Sequence, residues 1–256
     1  WAAIFVGLAA ADVMGSWAAV RNQNANNSKH PVRERRAFTM NNIRQTNYRN
    51  TTLAQQAKQL ATSQPDAVAI RFDNGATLTF GDAWQQGLQL AAALQHAGIE
   101  PGATLSFQLP NFQESVIVAI AASISGLIIN PVVPIYRGRE LKFILRDANT
   151  QVLFIPGTYR NFSFPNMIEE LRAELPALKH VVCVQAEGNL PDGFAHYDQF
   201  VANASAETAS LIDVSPDDTK ILLYTSGTTG NPKAVQHSHN TLAAALDNGV
   251  SGWSLD

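Results

Sequence analysis

From Thr51 onward, the pattern of hydrophobic and polar positions changes repeatedly between helical and strand spacing. Apolar residues that recur every three or four positions predict helices, and short runs rich in β-branched residues predict strands. The predicted helices cover residues 53–63, the stretch from a Thr79–Asp82 capping box to Gly98, and residues 112–125, 139–148, 165–175 and 241–250. The predicted strands are residues 67–72, 76–80, 104–109, 126–130, 151–155, 180–185 and 220–224.

The order of these elements indicates the fold class. Strands and helices that alternate at short spacing are typical of an α/β fold with a mostly parallel sheet layered with helices. Residues 73–75, Asp-Asn-Gly, predict a hairpin turn between the first two strands. The helix at 112–125 is almost entirely apolar, so we expect it to be buried on most sides. Residues 186–218 are predicted to be rich in loops, with one helix near Gln199 and a weak candidate domain boundary.

The first 39 residues do not continue this pattern. Residues 1–20 are largely apolar, but a basic stretch typical of a secretory signal does not precede them. A membrane span is disfavoured because Asp12 would lie in its middle, where a charge costs about 2.5–3.5 kcal/mol. We therefore expect residues 1–39 to be an upstream or disordered segment outside the fold, and residues 40–256 to form one partial domain.

Charge and cysteine content narrow the partners and the compartment. The formal net charge is −3, yet residues 21–49 carry seven basic side chains and one acidic side chain. The remainder from residue 50 has 11 basic and 19 acidic residues, so it repels polyanions and we expect no nucleic-acid partner. The basic stretch is typical of a solvated tail. The single cysteine, Cys183, lies in an apolar run, which predicts a core residue in a reducing, cytoplasmic setting.

The most informative motif is the run Tyr-Thr-Ser-Gly-Thr-Thr-Gly-Asn-Pro-Lys at residues 224–233, directly after a buried strand. Its two glycines allow left-handed backbone, and successive amides in such a loop form a concave nest for phosphate oxygens. It is not a Walker loop, because Asn-Pro separates the glycine from the lysine. The run predicts a phosphate-binding site formed by Thr225, Ser226, Gly227, Thr228, Thr229, Gly230 and Lys233.

This run resembles the signature loop of the AMP-forming adenylating superfamily, which contains acyl-CoA synthetases, luciferases and peptide-synthetase adenylation domains. The resemblance implies that residues 225–230 and Lys233 hold the β- and γ-phosphates of ATP while a substrate carboxylate attacks the α-phosphorus. Pyrophosphate leaves, and in the CoA ligases a thiol then displaces AMP from the acyl-adenylate. ATP, Mg²⁺ and coenzyme A are therefore the implied cofactors and co-substrates, with a carboxylic acid as substrate.

Two upstream segments place the chain within that superfamily. Residues 109–117 resemble the family's Leu-Pro-Asn turn, and residues 130–141 are similar to a segment of medium-chain and cyclohexanecarboxylate-type acyl-CoA ligases. The first hypothesis is thus the N-terminal part of an acyl-CoA ligase. The alternatives are an adenylation domain of another branch, such as a peptide-synthetase-like or luciferase-like one, and a truncated, non-catalytic nucleotide-binding protein. The acid that is activated and the oligomeric state stay open.

The sequence departs from the family at Ala234, where glycine is usual. If that backbone is left-handed the alanine costs about 1–2 kcal/mol, and if it is extended the change is harmless. The family's catalytic residues are expected beyond Asp256, so we assign none here and expect this chain alone to be inactive.

Two histidines and two acidic pairs do not add a second site. His237 and His239 share a face of an extended chain but have no third ligand nearby, so we expect no metal site. Ser238 or Asn240 is predicted to cap the helix at 241–250. The pair at 169–170 is typical of a solvated face, and the pair Asp217–Asp218 is typical of a turn cap.

Overall fold

The computed structural model describes residues 49–225 and 232–252, with side chains as far as 247. The helices in these ranges are Leu53–Ser63 (α1), Phe80–His96 (α2), Gln113–Ile124 (α3), Gly138–Asp147 (α4), Phe164–Leu171 (α5), Tyr197–Ala202 (α6) and His239–Gly252 (α7), with 3-10 turns at Arg172–Glu174 and Ala206–Thr208. The strands are Val68–Arg71 (β1), Thr77–Thr79 (β2), Thr104–Phe107 (β3), Ile128–Pro131 (β4), Thr150–Pro156 (β5), Thr158–Tyr159 (β6), Phe162–Ser163 (β7), His180–Val184 (β8), Phe194–His196 (β9), Thr219–Thr225 (β10) and Lys233–Ser238 (β11).

A seven-stranded sheet in the order β11-β10-β4-β3-β5-β8-β9 organises the described chain. All neighbouring strands in it are parallel except β11, which runs antiparallel to β10. Two short antiparallel pairs, β1–β2 and β6–β7, lie outside this sheet, and β1–β2 is the predicted hairpin. The predicted α/β fold with a mostly parallel sheet is confirmed.

Helices cover both faces of the sheet. Along β5, Val152 and Phe154 pack in a cluster with α1, α2 and α3, whereas Leu153 and Ile155 pack in a second cluster with α4 and α5. Strands buried on both faces are mostly apolar at consecutive positions, which explains why β5 and β8 stand out as nearly continuous apolar runs. Cys183 belongs to the second cluster, and burial raises the pKa of its thiol to about 12, as expected for a core residue.

The predictions were accurate for the burial of α3 and less accurate for the ends of α2 and α5. All ten residues 115–124 of α3 are buried, which confirms the expectation for that helix. The predicted capping box at α2 was half wrong: the Thr79 hydroxyl accepts a hydrogen bond from the Asp82 amide, but the Asp82 carboxylate bonds that same hydroxyl instead of a backbone amide. A complete capping box occurs at Thr52 and Gln55 of α1. Helix α5 ends at Leu171, and a 3-10 turn replaces the rest of the predicted helix.

The loop-rich segment at 186–218 contains more structure than its sequence indicated. Helix α6 confirms the helix near Gln199, but β9, which pairs in parallel with β8, was not predicted. The segment is also hydrogen-bonded back onto the helices. Gln95 of α2 exchanges two bonds with the backbone of Ser210, and the Ile212 amide donates to the carbonyl of Ile124. This part of the chain therefore continues the same packing.

The described chain begins on the surface of α7. Arg49 forms an ion pair of 2.7 Å with Asp247, and the Asn50 amide donates to the side chain of Asn240. Residues 1–39 lie outside the described residues, so their separation from the fold stays a prediction. None of the described helices has the length and apolar character needed to cross a membrane.

Deleting residues 1–39 should leave the melting temperature unchanged in differential scanning calorimetry. The reason is that the contacts of Arg49 and Asn50 with α7 are retained in this variant. A matched deletion of residues 1–50 removes those contacts and should lower the melting temperature. A lower melting temperature for the shorter deletion would show that residues 1–39 contribute to the fold.

Gly87→Ala should destabilise the fold by about 1–3 kcal/mol, as expected for overpacking in a core. Gly87 lies where α2 crosses α3, and an added Cβ would overlap the Ile120 side chain. Gly138→Ala in α4 is the matched control, because its Cβ would lie 3.7 Å from Leu171, an ordinary contact. Urea unfolding of both variants measures the difference. Equal stability of the two would mean that α2 and α3 can separate without cost.

Candidate phosphate-binding site

The predicted loop connects two neighbouring strands at the carboxyl edge of the sheet. Strand β10 runs parallel to β4 and ends at Thr225, and β11 returns antiparallel from Lys233. Thr225 and Lys233 are directly paired, and the Thr225 hydroxyl donates a hydrogen bond of 3.5 Å to the Lys233 carbonyl. The fold thus brings both ends of the predicted site together. The remaining predicted residues, Ser226, Gly227, Thr228, Thr229 and Gly230, lie outside the described residues.

A long-range contact fixes the strand that leads into the loop. Tyr224 donates a hydrogen bond of 2.6 Å to the carboxylate of Asp147, the last residue of α4. Burial raises the pKa of the Tyr224 hydroxyl, and the bond to Asp147 and the charge of Asp147 raise it further. The phenol is therefore neutral and donates permanently. This anchor, which the sequence did not indicate, holds the start of the loop against the helix layer.

The Pro-rich bend after β4 is held at the same carboxyl edge. Gln108, fully buried after β3, donates to the carbonyls of Val133 and Tyr136 and so fixes the bend. Arg137, at the amino end of α4, donates to the carbonyl of Pro134 and lies 4.2 Å from the centroid of the Phe162 ring. Carbonyl oxygens and an aromatic face stabilise a cation that the helix dipole alone would disfavour.

The backbone at Ala234 is extended. Ala234 pairs with Tyr224 within β11, and it does not belong to the described residues with positive φ. The strain that a left-handed alanine would cause is therefore absent. Of the two alternatives for this departure from the family, the structure supports the harmless one.

At the opposite, amino end of β10, His239 acts as a buried hydrogen-bond acceptor. It is 2% exposed, and its Nδ1 accepts a bond of 3.0 Å from the Leu53 amide at the start of α1. Burial is the main cause that lowers its pKa to about 4, and the charge of Lys220 adds to this while Asp218 opposes it. The described residues contain no group of three or more His, Cys, Asp or Glu that could hold a metal ion.

The turn before α7 contains one of the two residues that were predicted to cap the helix. The Ser238 hydroxyl accepts from the Thr241 amide at 3.2 Å, which confirms Ser238 as a cap of the helix that begins at His239. Asn240 has another role and donates to Asp217 at 2.8 Å. Asp218 accepts from the Ser215 amide, as expected for a turn cap.

The bond between His239 and Leu53 predicts a loss of stability in mild acid. The pKa of about 4 in the folded state lies below the usual value of 6.5, so the unfolded chain binds more protons between these values and stability falls as the pH drops through them. The loss should be about 1–3 kcal/mol. His239→Asn keeps a hydrogen-bond acceptor that does not titrate. The free energy of unfolding of this variant, measured with urea, should therefore depend less on pH between pH 6.5 and 4. The same pH dependence of the unfolding free energy in both proteins would contradict the role of His239.

Comparisons with known proteins agree with the geometry. A family model described as AMP-binding enzyme matches residues 57–254. The medium-chain fatty-acid–CoA ligase of Escherichia coli (strain K12) is 29% identical over 214 residues, covering 81% of this chain and 38% of that protein. The structure of acetoacetyl-CoA synthetase from Streptomyces lividans superposes with a TM-score of 0.68 at 27% identity, over 78% of this chain and 32% of that one. The anthranilate CoA ligase AuaEII with anthranoyl-AMP, at 24% identity, shares the fold with a TM-score of 0.65 over 75% of this chain and 35% of that one.

Proposed function

This chain belongs to the AMP-binding enzyme family, and on that premise we propose that it supplies the phosphate-binding part of an ATP-dependent acid–thiol ligase. The ligase converts a carboxylic acid to an acyl-adenylate and then to a CoA thioester. Because the chain spans 38% of the E. coli relative, this activity is proposed for the full-length protein. Residues 40–256 are proposed to be part of its N-terminal AMP-binding domain.

The pairing of Thr225 with Lys233 carries this proposal. It holds a hydroxyl and an ammonium group at the two ends of a short, glycine-containing loop at the carboxyl edge of a parallel sheet. Ligands of open α/β sheets bind at this edge, in the crevice outside the strand ends. The side chain of Lys233 is exposed, so it can reach a phosphate chain that lies over the loop.

The chemistry requires negative charge to be neutralised in two places. When a carboxylate attacks the α-phosphorus of ATP, charge builds on the phosphoryl oxygens and on the departing pyrophosphate. Donors that are already oriented stabilise this charge without reorganisation. We propose that Lys233, the hydroxyls of Thr225, Ser226, Thr228 and Thr229, and the loop amides from Thr225 to Gly230 hold the β- and γ-phosphates. The attack then forms a C–O–P bond as the P–O bond to pyrophosphate breaks.

Mg²⁺ is proposed as an ion that accompanies ATP. The described residues at the loop offer an amine and one hydroxyl, and of these only the Thr225 hydroxyl is an oxygen ligand for Mg²⁺. The described part of the chain has no carboxylate cluster that fits the ion.

The substrate is proposed to be a medium-chain or alicyclic carboxylate, with CoA as acceptor. Support comes from the residues at 130–141 and from the relatives, whose names are those of CoA ligases for fatty acids and for aromatic and cyclic acids. A cytoplasmic location is proposed because the buried thiol of Cys183 needs no oxidising compartment.

The test is ATP–pyrophosphate exchange by the full-length protein with a panel of carboxylates, followed by thioester detection. We expect exchange that depends on a medium-chain or alicyclic acid, and discharge of the adenylate onto free CoA. Discharge only onto a carrier protein would assign the chain to another branch. Absence of exchange with every acid, in a protein that binds ATP, would support a non-catalytic nucleotide-binding protein and overturn the proposal.

A further inference from the structure

A cavity of about 420 Å³ lies at the amino edge of the sheet, opposite the phosphate-binding loop. It is lined by the first residues of β10 and β4 and by the end of α3. Part of its wall is apolar, formed by Leu127, Ile128 and Val214. Two buried polar side chains, Lys220 and His239, line the same space. Neither takes part in the proposed adenylation site.

Lys220 and His239 both carry hydrogen-bond donors. Lys220 is 1% exposed, and its Nζ donates one bond of 2.9 Å to the carbonyl of Leu127. An ammonium has three donors, so two are left. Because Nδ1 of His239 accepts from the Leu53 amide, the neutral ring carries its proton on Nε2, which is a further donor. Among the described residues, no further acceptor bonds the two remaining N–H groups of Lys220 or the Nε2–H of His239, although buried donors are normally paired.

We propose that this cavity is an accessory binding site for a small carboxylate with an apolar tail, held by Lys220 Nζ and His239 Nε2. A carboxylate is an acceptor-only group with two oxygens, so it complements converging donors. The tail lies against Leu127, Ile128 and Val214. Cavities of roughly 300–1,000 Å³ are the usual size for small molecules.

The surroundings favour a singly charged head over a doubly charged one such as sulfate. Asp218 also lines the cavity and is exposed, so it repels additional negative charge. The carbonyl end of α3, where Ser123 lines the cavity, likewise disfavours a dianion. The charged or titratable groups that line the cavity are thus Lys220 on β10, Asp218 on the preceding turn and His239 on α7.

The site is independent of the adenylation reaction. Lys220 and Thr225 lie near opposite ends of β10, about 17 Å apart at the usual rise per residue. Binding therefore needs no ATP. Burial lowers the pKa of Lys220 to about 7, so the charged form that pairs with a carboxylate is depleted as the pH rises above 7. The affinity for a carboxylate should fall in the same direction.

Isothermal titration of this chain with hexanoate at pH 6.5, without ATP, tests the proposal. We expect saturable binding at one site, at least tenfold weaker at pH 8.5, and weaker binding of acetate because it has no tail. Lys220→Met should reduce the hexanoate affinity at least tenfold, while Lys58→Met, an exposed lysine of α1, should not change it. Sulfate, which is a dianion at this pH, should not compete.

A second variant guards against a folding defect. Val214→Phe narrows the cavity from its rim without changing any charge and should also weaken hexanoate binding. Cooperative thermal unfolding of both variants confirms that they are folded. No saturable binding to the unaltered chain, or equal affinity in Lys220→Met, would overturn the site. Competition by sulfate at equal concentration would overturn the assignment to carboxylates.

Discussion

Replacing Lys233 with alanine should slow ATP–pyrophosphate exchange by the full-length protein by about one to three orders of magnitude. The loop at 226–231 supplies neutral donors, so Lys233 is the one cation that the predicted site contributes. Its loss leaves the charge of the departing pyrophosphate less compensated in the transition state than in the bound substrate. The effect should therefore appear mainly in kcat, with a smaller change in the KM for ATP.

Two further variants make this measurement specific. Lys58→Ala removes one exposed lysine of α1, which is not part of the predicted loop, and should exchange pyrophosphate at the unaltered rate. Lys233→Arg keeps the charge but not the compact ammonium group, so an intermediate rate is expected. Exchange by Lys233→Ala at the rate of the unaltered protein would remove Lys233 from the site. An equal loss in Lys58→Ala would instead point to a general effect of charge.

The central sheet could be predicted because its strands are buried on both faces. Strands β4, β5, β8 and β10 each contain an apolar run, β3 mixes apolar and small polar residues, and the helices between them keep a helical period. The crossover helix α3 was equally clear, since it is buried all round. In these elements, the apolar residues whose burial stabilises the fold also form the pattern that is visible in the sequence.

Shorter elements were missed because their local sequence is not distinctive. Strand β9 has three half-buried residues and forms by pairing with β8 at the edge of the sheet. The β6–β7 pair has two residues in each strand. At α2, a capping pattern was present, but the Asp82 carboxylate accepts a hydrogen bond from the Thr79 hydroxyl instead of from a backbone amide. Tertiary pairing and side-chain geometry decided these cases.

The candidate site was also only partly predictable from the sequence. The loop itself was visible as a motif, and the fold brings Thr225 and Lys233 together, while the roles of all its residues stay a prediction. Its supports were not visible, because the partners are distant in the chain. Tyr224 and Asp147 are 77 residues apart, and Gln108 lies 25 and 28 residues before the carbonyls that it binds. No local pattern reports such contacts.

Lys220→Met should stabilise the folded chain by about 2–4 kcal/mol at pH 6. Burial disfavours the charged form and lowers the pKa of Lys220 from its usual value of 10.5 to about 7 in the folded state. Such a difference is equivalent to roughly 5 kcal/mol against folding when the amine is charged in both states. The bond to the Leu127 carbonyl at the end of α3, which methionine cannot make, offsets part of the gain.

The pH dependence separates this electrostatic cost from simple repacking. Between pH 7 and 10.5 the unfolded chain binds the lysine proton and the folded chain does not, so the stability of the unaltered protein rises with pH in this range. The advantage of Lys220→Met should therefore shrink by about 3 kcal/mol between pH 6 and pH 9.5, to near zero. Urea unfolding at pH 6, 8 and 9.5 measures it, with the exposed Lys58→Met as control. A constant advantage would indicate repacking alone, and a destabilised variant at pH 6 would mean that the buried ammonium is already fully compensated.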